Sequence, residues 1–172
     1  MLFSKSIFGS GLAALVLVSG AQATEMPLRK AGLWEMKMVT TGLPIAVPAI
    51  TMQQCTDETV DKDLSDSAAP MAKQSCSKSD IQKTATGYVG DAECNIGGAK
   101  TTLHTEATGD FNSAYTMKIT SHTDGGGVAI NTVMTIESKW LGACKPGQKP
   151  GDTMMPGGMK VNVKDSKPKA AK

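Results

Sequence analysis

The chain has 172 residues, with 18 Lys and Arg against 16 Asp and Glu, 4 Cys, 11 Met, 18 Gly and 8 Pro. That length suits one domain. A hydrophobic fraction of 40% and a charged fraction of 20% exclude a wholly disordered chain, and a net charge of +2 excludes a strongly basic nucleic-acid binder.

The first residues are expected to be removed. Lys5 precedes a short, mostly apolar run, Ile7 to Ser19, and Ala21-Gln-Ala23 supplies a small-x-small cleavage site. The run is shorter than the roughly 20 apolar residues a membrane span needs, and no later run is longer. We read 1–23 as a signal peptide cleaved after Ala23, and the protein as periplasmic or secreted. What remains keeps all four cysteines but only five aromatics: Trp34, Tyr88, Phe111, Tyr115 and Trp140.

Charge divides the rest. Residues 24–144 hold 10 basic and 14 acidic side chains, whereas 145–172 hold 7 Lys and 2 Asp. The second stretch is rich in Pro and Gly and lacks apolar periodicity, so it offers little burial against its ordering entropy. It is expected to be a flexible Lys/Pro/Gly-rich tail behind a β-rich domain at 24–144.

Within that domain, Gly32 to Thr40 alternates. Trp34, Met36 and Met38 share one face and Glu35 and Lys37 the other, which predicts a half-buried strand. A second strand is expected from Ile50 to Cys55. Thr56 or Asp57 then caps a short helix carrying Val60 and Leu64 on one stripe, with carboxylates at its positive end. Ser65 to Gln74 is expected to be loop. Strands are predicted at 75–85, 88–96, 99–107, 111–121 and 128–140. The separators are Thr86-Gly87, Gly97-Gly98, Thr108-Gly109-Asp110 and Asp124 to Gly127. The expected fold is mainly β with one short helix: a curved, antiparallel up-and-down meander of about seven strands, disulfide-linked.

An even cysteine count in an exported chain points to disulfides. Cys76 and Cys94 fall at one end of a predicted hairpin. Cys55 and Cys144 each close a strand. This favours Cys76–Cys94 with Cys55–Cys144 over Cys55–Cys76 with Cys94–Cys144. A two-residue turn at Thr86-Gly87 would set Cys94 opposite Ser79, so the favoured pairing needs a longer loop or a bulge.

Four features in order resemble the bacterial exported family called domain of unknown function 3617. They are Gly32-Leu-Trp-Glu35, Cys55-Thr-Asp-Glu58 before a short helix, Cys76 and Cys94 flanking a hairpin, and Leu141-Gly-Ala-Cys144 at the close. The resemblance implies an exported, disulfide-linked β domain and no particular activity.

Motifs for catalysis are missing from the sequence: there is no His-Glu-x-x-His, no Gly-x-Ser-x-Gly and no P-loop. His104 and His122 read as exposed strand residues. The acidic run Asp57, Glu58, Asp61, Asp63 and Asp66 lacks the order of a calcium loop and reads as a solvated helix face. Met154, Met155 and Met159 place three thioethers in six residues, a pattern able to select Cu(I). The tail lysines offer weak contact with anionic surfaces. No nucleic-acid partner, membrane span or cofactor is expected. The leading expectation is a non-catalytic envelope protein that binds a small ligand or a partner, with Trp34, Met36, Met38, Tyr115, Met117 and Ile119 lining an apolar sheet face. Cu(I) handling by the tail is the alternative and an unrecognised hydrolase the second.

Overall fold

A computed structural model describes residues 26–125 and 127–165, with side chains for all of these except 67–71. The expected leader lies outside the described residues. The elements, in chain order, are β1 (Gly32–Thr41), β2 (Ile50–Thr56), α1 (Glu58–Ser75), β3 (Cys76–Lys83), β4 (Gly87–Ile96), β5 (Ala99–Asp110), β6 (Ala114–Gly125), β7 (Val128–Gly142), β8 (Asp152–Met154) and β9 (Lys160–Asn162). All nine strands join one antiparallel sheet in the order β3-β4-β5-β6-β7-β1-β2-β8-β9. Strands β3 to β7 form the expected meander. The β1–β2 hairpin then extends it, because β1 pairs with β7 along most of its length.

The expectation of a flexible tail fails for residues 145–165. They add β8 and β9 to the sheet beyond β2. Periodicity gave no hint of this because polar contacts hold the segment. Gln54 Nε2 donates to Thr153 Oγ1 at 3.2 Å, and the Asp152 carboxylate accepts from Lys149 N, Lys160 Nζ and Asn162 Nδ2. Asp152 and Thr153 are both buried. The strand therefore satisfies the otherwise bare edge of β2 without an apolar stripe of its own. Residues 166–172, which carry the last three lysines, lie outside the described residues.

The helix is also longer than its sequence advertises. Asp57 caps it by accepting from Val60 N, as predicted, but it continues through the expected loop and past Pro70 to Ser75. An interior proline gives up one helical hydrogen bond. Topology supplies the reason. β2 and β3 are six places apart in the sheet, roughly 29 Å at a strand spacing of about 4.8 Å. Eighteen helical residues rise about 27 Å, so a continuous helix bridges that gap. It touches β2 at one side of the sheet and β3 and β4 at the other.

Two turns differ from the expected ones. The β5–β6 turn lies at 111–113, not at Thr108-Gly109-Asp110, since Asp110 pairs with Ala114. Gly109 is a strand residue at φ 111°, where a Cβ would run into the Ala114 carbonyl. The glycine marks close backbone approach rather than a bend.

The β3–β4 turn explains the cysteines. It closes with Lys83 opposite Tyr88, a longer loop than Thr86-Gly87 alone, which moves Cys94 from opposite Ser79 to opposite Ser77. A bulge between Cys76 and Lys78 supplies the last step. The disulfides are Cys76–Cys94 and Cys55–Cys144, the favoured pairing.

Candidate functional site

Register divides the sheet into two unlike faces. The outer face is polar: Gln53 bonds Glu35, His104 bonds Asp91 at 2.8 Å, and His122 bonds Asn131 at 2.7 Å. His104 pairs with Thr120 and His122 with Thr102, so the two histidines are not directly opposed. The inner face is largely carbon. The row Ile50, Met38, Ile136, Met117 and Ala107 runs through successive pairings from β2 to β5.

One end of the inner face concentrates the scarce rings. Trp34 and Tyr115 have centroids 5.6 Å apart, Tyr115 stacks on Phe111 at 4.6 Å, and Phe111 meets Tyr88 edge-on at 6.1 Å. Trp34 is fully buried and its Nε1 donates to the Lys30 carbonyl at 2.8 Å. Two of the six residues expected to line a ligand face, Trp34 and Tyr115, thus pack in this aromatic cluster. Ring contacts of this kind add to the area they bury.

Residues 26–31 cross the inner face as a strap. Lys30 N donates to the Phe111 carbonyl, Trp140 Nε1 donates to the Ala31 carbonyl, and the Lys30 ammonium sits 3.7 Å from the Trp140 ring centroid. Arg29 locks the strap. Its Nε and backbone N each donate to Asp61 Oδ2 at 2.9 Å, its Nη2 reaches Asp61 Oδ1 and Gln54 Oε1, and its Nη1 lies 3.7 Å from Met36 Sδ. One guanidinium thereby ties strap, helix, β2 and β1 together. The pair is nearly dry, with side chains 11% and 8% exposed. Burial pushes the Asp61 carboxyl up, but Arg29 and the Thr56 hydroxyl outweigh it and hold it below its ordinary value. Burial pulls the Arg29 guanidinium down, and Asp61 together with Tyr115 more than reverses that.

Sequence reasoning missed this clamp, having assigned Asp61 to a solvated acidic face. A signal was present. Arg29 is the only arginine among 18 basic residues. Lysine cannot replace a planar fork holding a carboxylate and an amide at once.

Beside the strap, between Met26 and strands β3 to β6, lies a groove of about 270 Å³. Ile81, Leu103, Ala107, Met117 and Ile119 line it with Met26. Of the six residues expected on the ligand face, Met117 and Ile119 reach this groove. Met36 lies under Arg29, and Met38 sits half-buried between Ile50 and Ile136. Farther along the inner face the surface turns hydroxylic, with Ser121 bonded to Thr132 and Thr101 to Thr123. Ser138 Oγ is buried without a hydrogen-bond partner among the described residues.

The tail methionines are split by strand alternation. Met154 pairs with Gln53 of the outer face, whereas Met155 and Met159 face each other across a Pro156-Gly-Gly158 loop. Three of the four described tail lysines are engaged through their ammonium groups: Lys145 Nζ bonds Gln53, Lys160 Nζ bonds Asp152 and Lys164 Nζ bonds Thr59. Among the described residues no helix is long and apolar enough to cross a membrane, and no group of three His, Cys, Asp or Glu is placed to hold a metal ion.

The span from the Arg29 clamp to Cys144 coincides with a known family. A family model described as "Protein of unknown function (DUF3617)" matches residues 29–144. The chain belongs to the DUF3617 family. No curated protein and no solved structure matches this DUF3617 protein. Its family segment opens on the arginine that locks the strap and closes on the cysteine bonded to Cys55. The β8–β9 hairpin lies beyond the matched residues.

Proposed function

We propose that this DUF3617 protein is an exported, non-catalytic binding module that holds a small apolar molecule in the groove beside its N-terminal strap. The observation that carries this reading is the lining. A groove of about 270 Å³ walled by Met26, Ile81, Leu103, Ala107, Met117 and Ile119 costs solvation when left to water. An apolar cavity of about 150 Å³ takes a benzene ring. The groove therefore suits two rings or a short alkyl chain. The leader-like 1–23 segment and the two disulfides support export to an oxidising compartment. The polar partners of both histidines on the outer face, away from the groove, support a binding role over catalysis.

The test is fluorescence of N-phenyl-1-naphthylamine, an uncharged probe of suitable size. Wild-type protein should enhance and saturate its emission. Leu103→Arg, which puts a charge into the groove, should weaken binding at least tenfold while leaving the melting temperature within a few degrees. Equal binding by the folded variant, or no binding by wild type, would remove the groove from consideration.

A further inference from the structure

A second site emerges when the methionines are placed by register rather than by sequence distance. Met36 of β1 pairs with Met52 of β2. The β2–β8 pairing sets Gln53 opposite Met154 and Gln54 opposite Thr153, and the same register carried one residue past the end of β8 brings Met155 opposite Met52. Met155 N in turn donates to the Met159 carbonyl at 2.8 Å across the hairpin loop. Met36 of β1, Met52 of β2, and Met155 and Met159 at the two ends of the β8–β9 loop thus form one row. All lie on the inner face. Arg29, which bonds both Gln54 and Met36, and Gln54, which bonds Thr153, fix that assignment.

We propose that Met52, Met155 and Met159, with Met36 beside them, form a thioether site for Cu(I). Strands are about 4.8 Å apart, and opposed residues on one face have Cβ atoms about 4.5 to 5.5 Å apart. Unbranched thioethers on three rotatable bonds converge on a shared ion from those positions. Soft, neutral sulfur selects Cu(I) over the hard and borderline ions that prefer oxygen or imidazole. The loop adds preorganisation. Gly157 sits at φ 81°, ψ 5°, the second central position of a type II turn that follows a proline, and this fixes Met155 against Met159. Met159 is 59% exposed and Met155 and Met52 are partly exposed, so the sulfurs are open to an arriving ion. Met36 contributes least, because the Arg29 guanidinium already lies against its sulfur. Met154, adjacent to Met155 in sequence, belongs to the other face and takes no part. The site lies on the same face as the apolar groove but toward the opposite edge of the sheet, at β1, β2 and the β8–β9 loop rather than β3 to β6, and stands independently of it.

The test is a Cu(I) titration, in ascorbate and against bicinchoninate, of protein purified from the envelope with both disulfides formed. One Cu(I) per chain is expected. Met52→Leu, Met155→Leu and Met159→Leu should each lower affinity tenfold or more, Met36→Leu by a few-fold, and Met154→Leu not at all. Leucine nearly conserves the volume, so these variants should fold, and melting curves will check that they do. Addition of Ag(I), a redox-inert mimic, should shift the methyl NMR signals of Met52, Met155 and Met159 and leave Met117 unmoved. A Met154→Leu effect as large as that of Met52→Leu would transfer the site to the contiguous tail trio and overturn the proposal. So would unchanged affinity in Met52→Leu, or failure of the wild type to compete for Cu(I).

Discussion

Replacing Asp61 by Asn tests whether the Arg29–Asp61 pair holds the strap on the sheet. The substitution keeps the shape and an acceptor oxygen but leaves the guanidinium buried without its counter-charge. Breaking one side of a buried ion pair costs about 3 to 5 kcal/mol, and the pair's side chains are only 11% and 8% exposed. The low end applies, because Gln54 still accepts from Arg29. A loss of about 3 kcal/mol corresponds to a melting temperature lower by roughly 6 to 12 °C for a chain of this size. Urea unfolding at pH 7 without reductant measures the loss directly. The pH dependence gives a second reading. The folded-state value of Asp61 is lowered, so its contribution is fully present above the unfolded carboxyl value of about 3.9 and disappears as pH falls through the folded value. Asp57, Asp110 and Asp152 are lowered too, by hydrogen bonds from Thr59, from Asn112 N and from Lys149 N foremost. Wild-type stability should therefore fall below about pH 4, and the difference between wild type and Asp61→Asn should shrink over that range. Combining Asp61→Asn with Arg29→Met should cost clearly less than the sum of the single changes. A single-variant loss below about 0.5 kcal/mol, or strict additivity in the double variant, would show that the clamp contributes no more than an exposed pair.

Three further outcomes are expected. Replacing Cys55 and Cys144 by Ser, which opens a loop of 89 residues, should cost about 4 to 5 kcal/mol, against about 3 kcal/mol for the 18-residue Cys76–Cys94 loop; thermal melts showing the reverse order would contradict this. Ser138→Ala removes a buried hydroxyl that has no partner among the described residues and should leave stability unchanged or raise it by up to about 1 kcal/mol, and a measured loss above that would reveal a partner for the hydroxyl. Truncation after Cys144 removes β8 and strips hydrogen bonds from Gln54 and Cys55, lowering stability by roughly 2 kcal/mol at about 1 kcal/mol per bond. Denaturation midpoints equal to those of the full chain would mean that the segment does not dock.

Much of the fold is written in local chemistry. The alternation of Trp34, Met36 and Met38 against Glu35 and Lys37 places β1 and its buried face. The Gly97-Gly98 turn and the Asp57 cap fall where their residue types require. The family pattern is local in the same sense, since it consists of short motifs around Trp34 and the cysteines. The candidate groove was legible only in part. Met117 and Ile119 could be assigned to one face by period two, but not separated from the packing role that Trp34 and Tyr115 take.

The rest depended on which distant segments meet. A stretch without apolar periodicity became β8 because β2 had a free edge and Asp152 found three donors. The helix ran through Pro70 because β2 and β3 stand six strands apart. Asp61 changed from a solvated carboxylate into half of a buried pair because the strap delivers Arg29 to it. Period and turn residues are properties of neighbouring positions, so sequence alone yields strands, faces and cysteine options. Edge satisfaction, bridging distance and charge pairing are properties of contacts across the chain, and only the assembled sheet creates them.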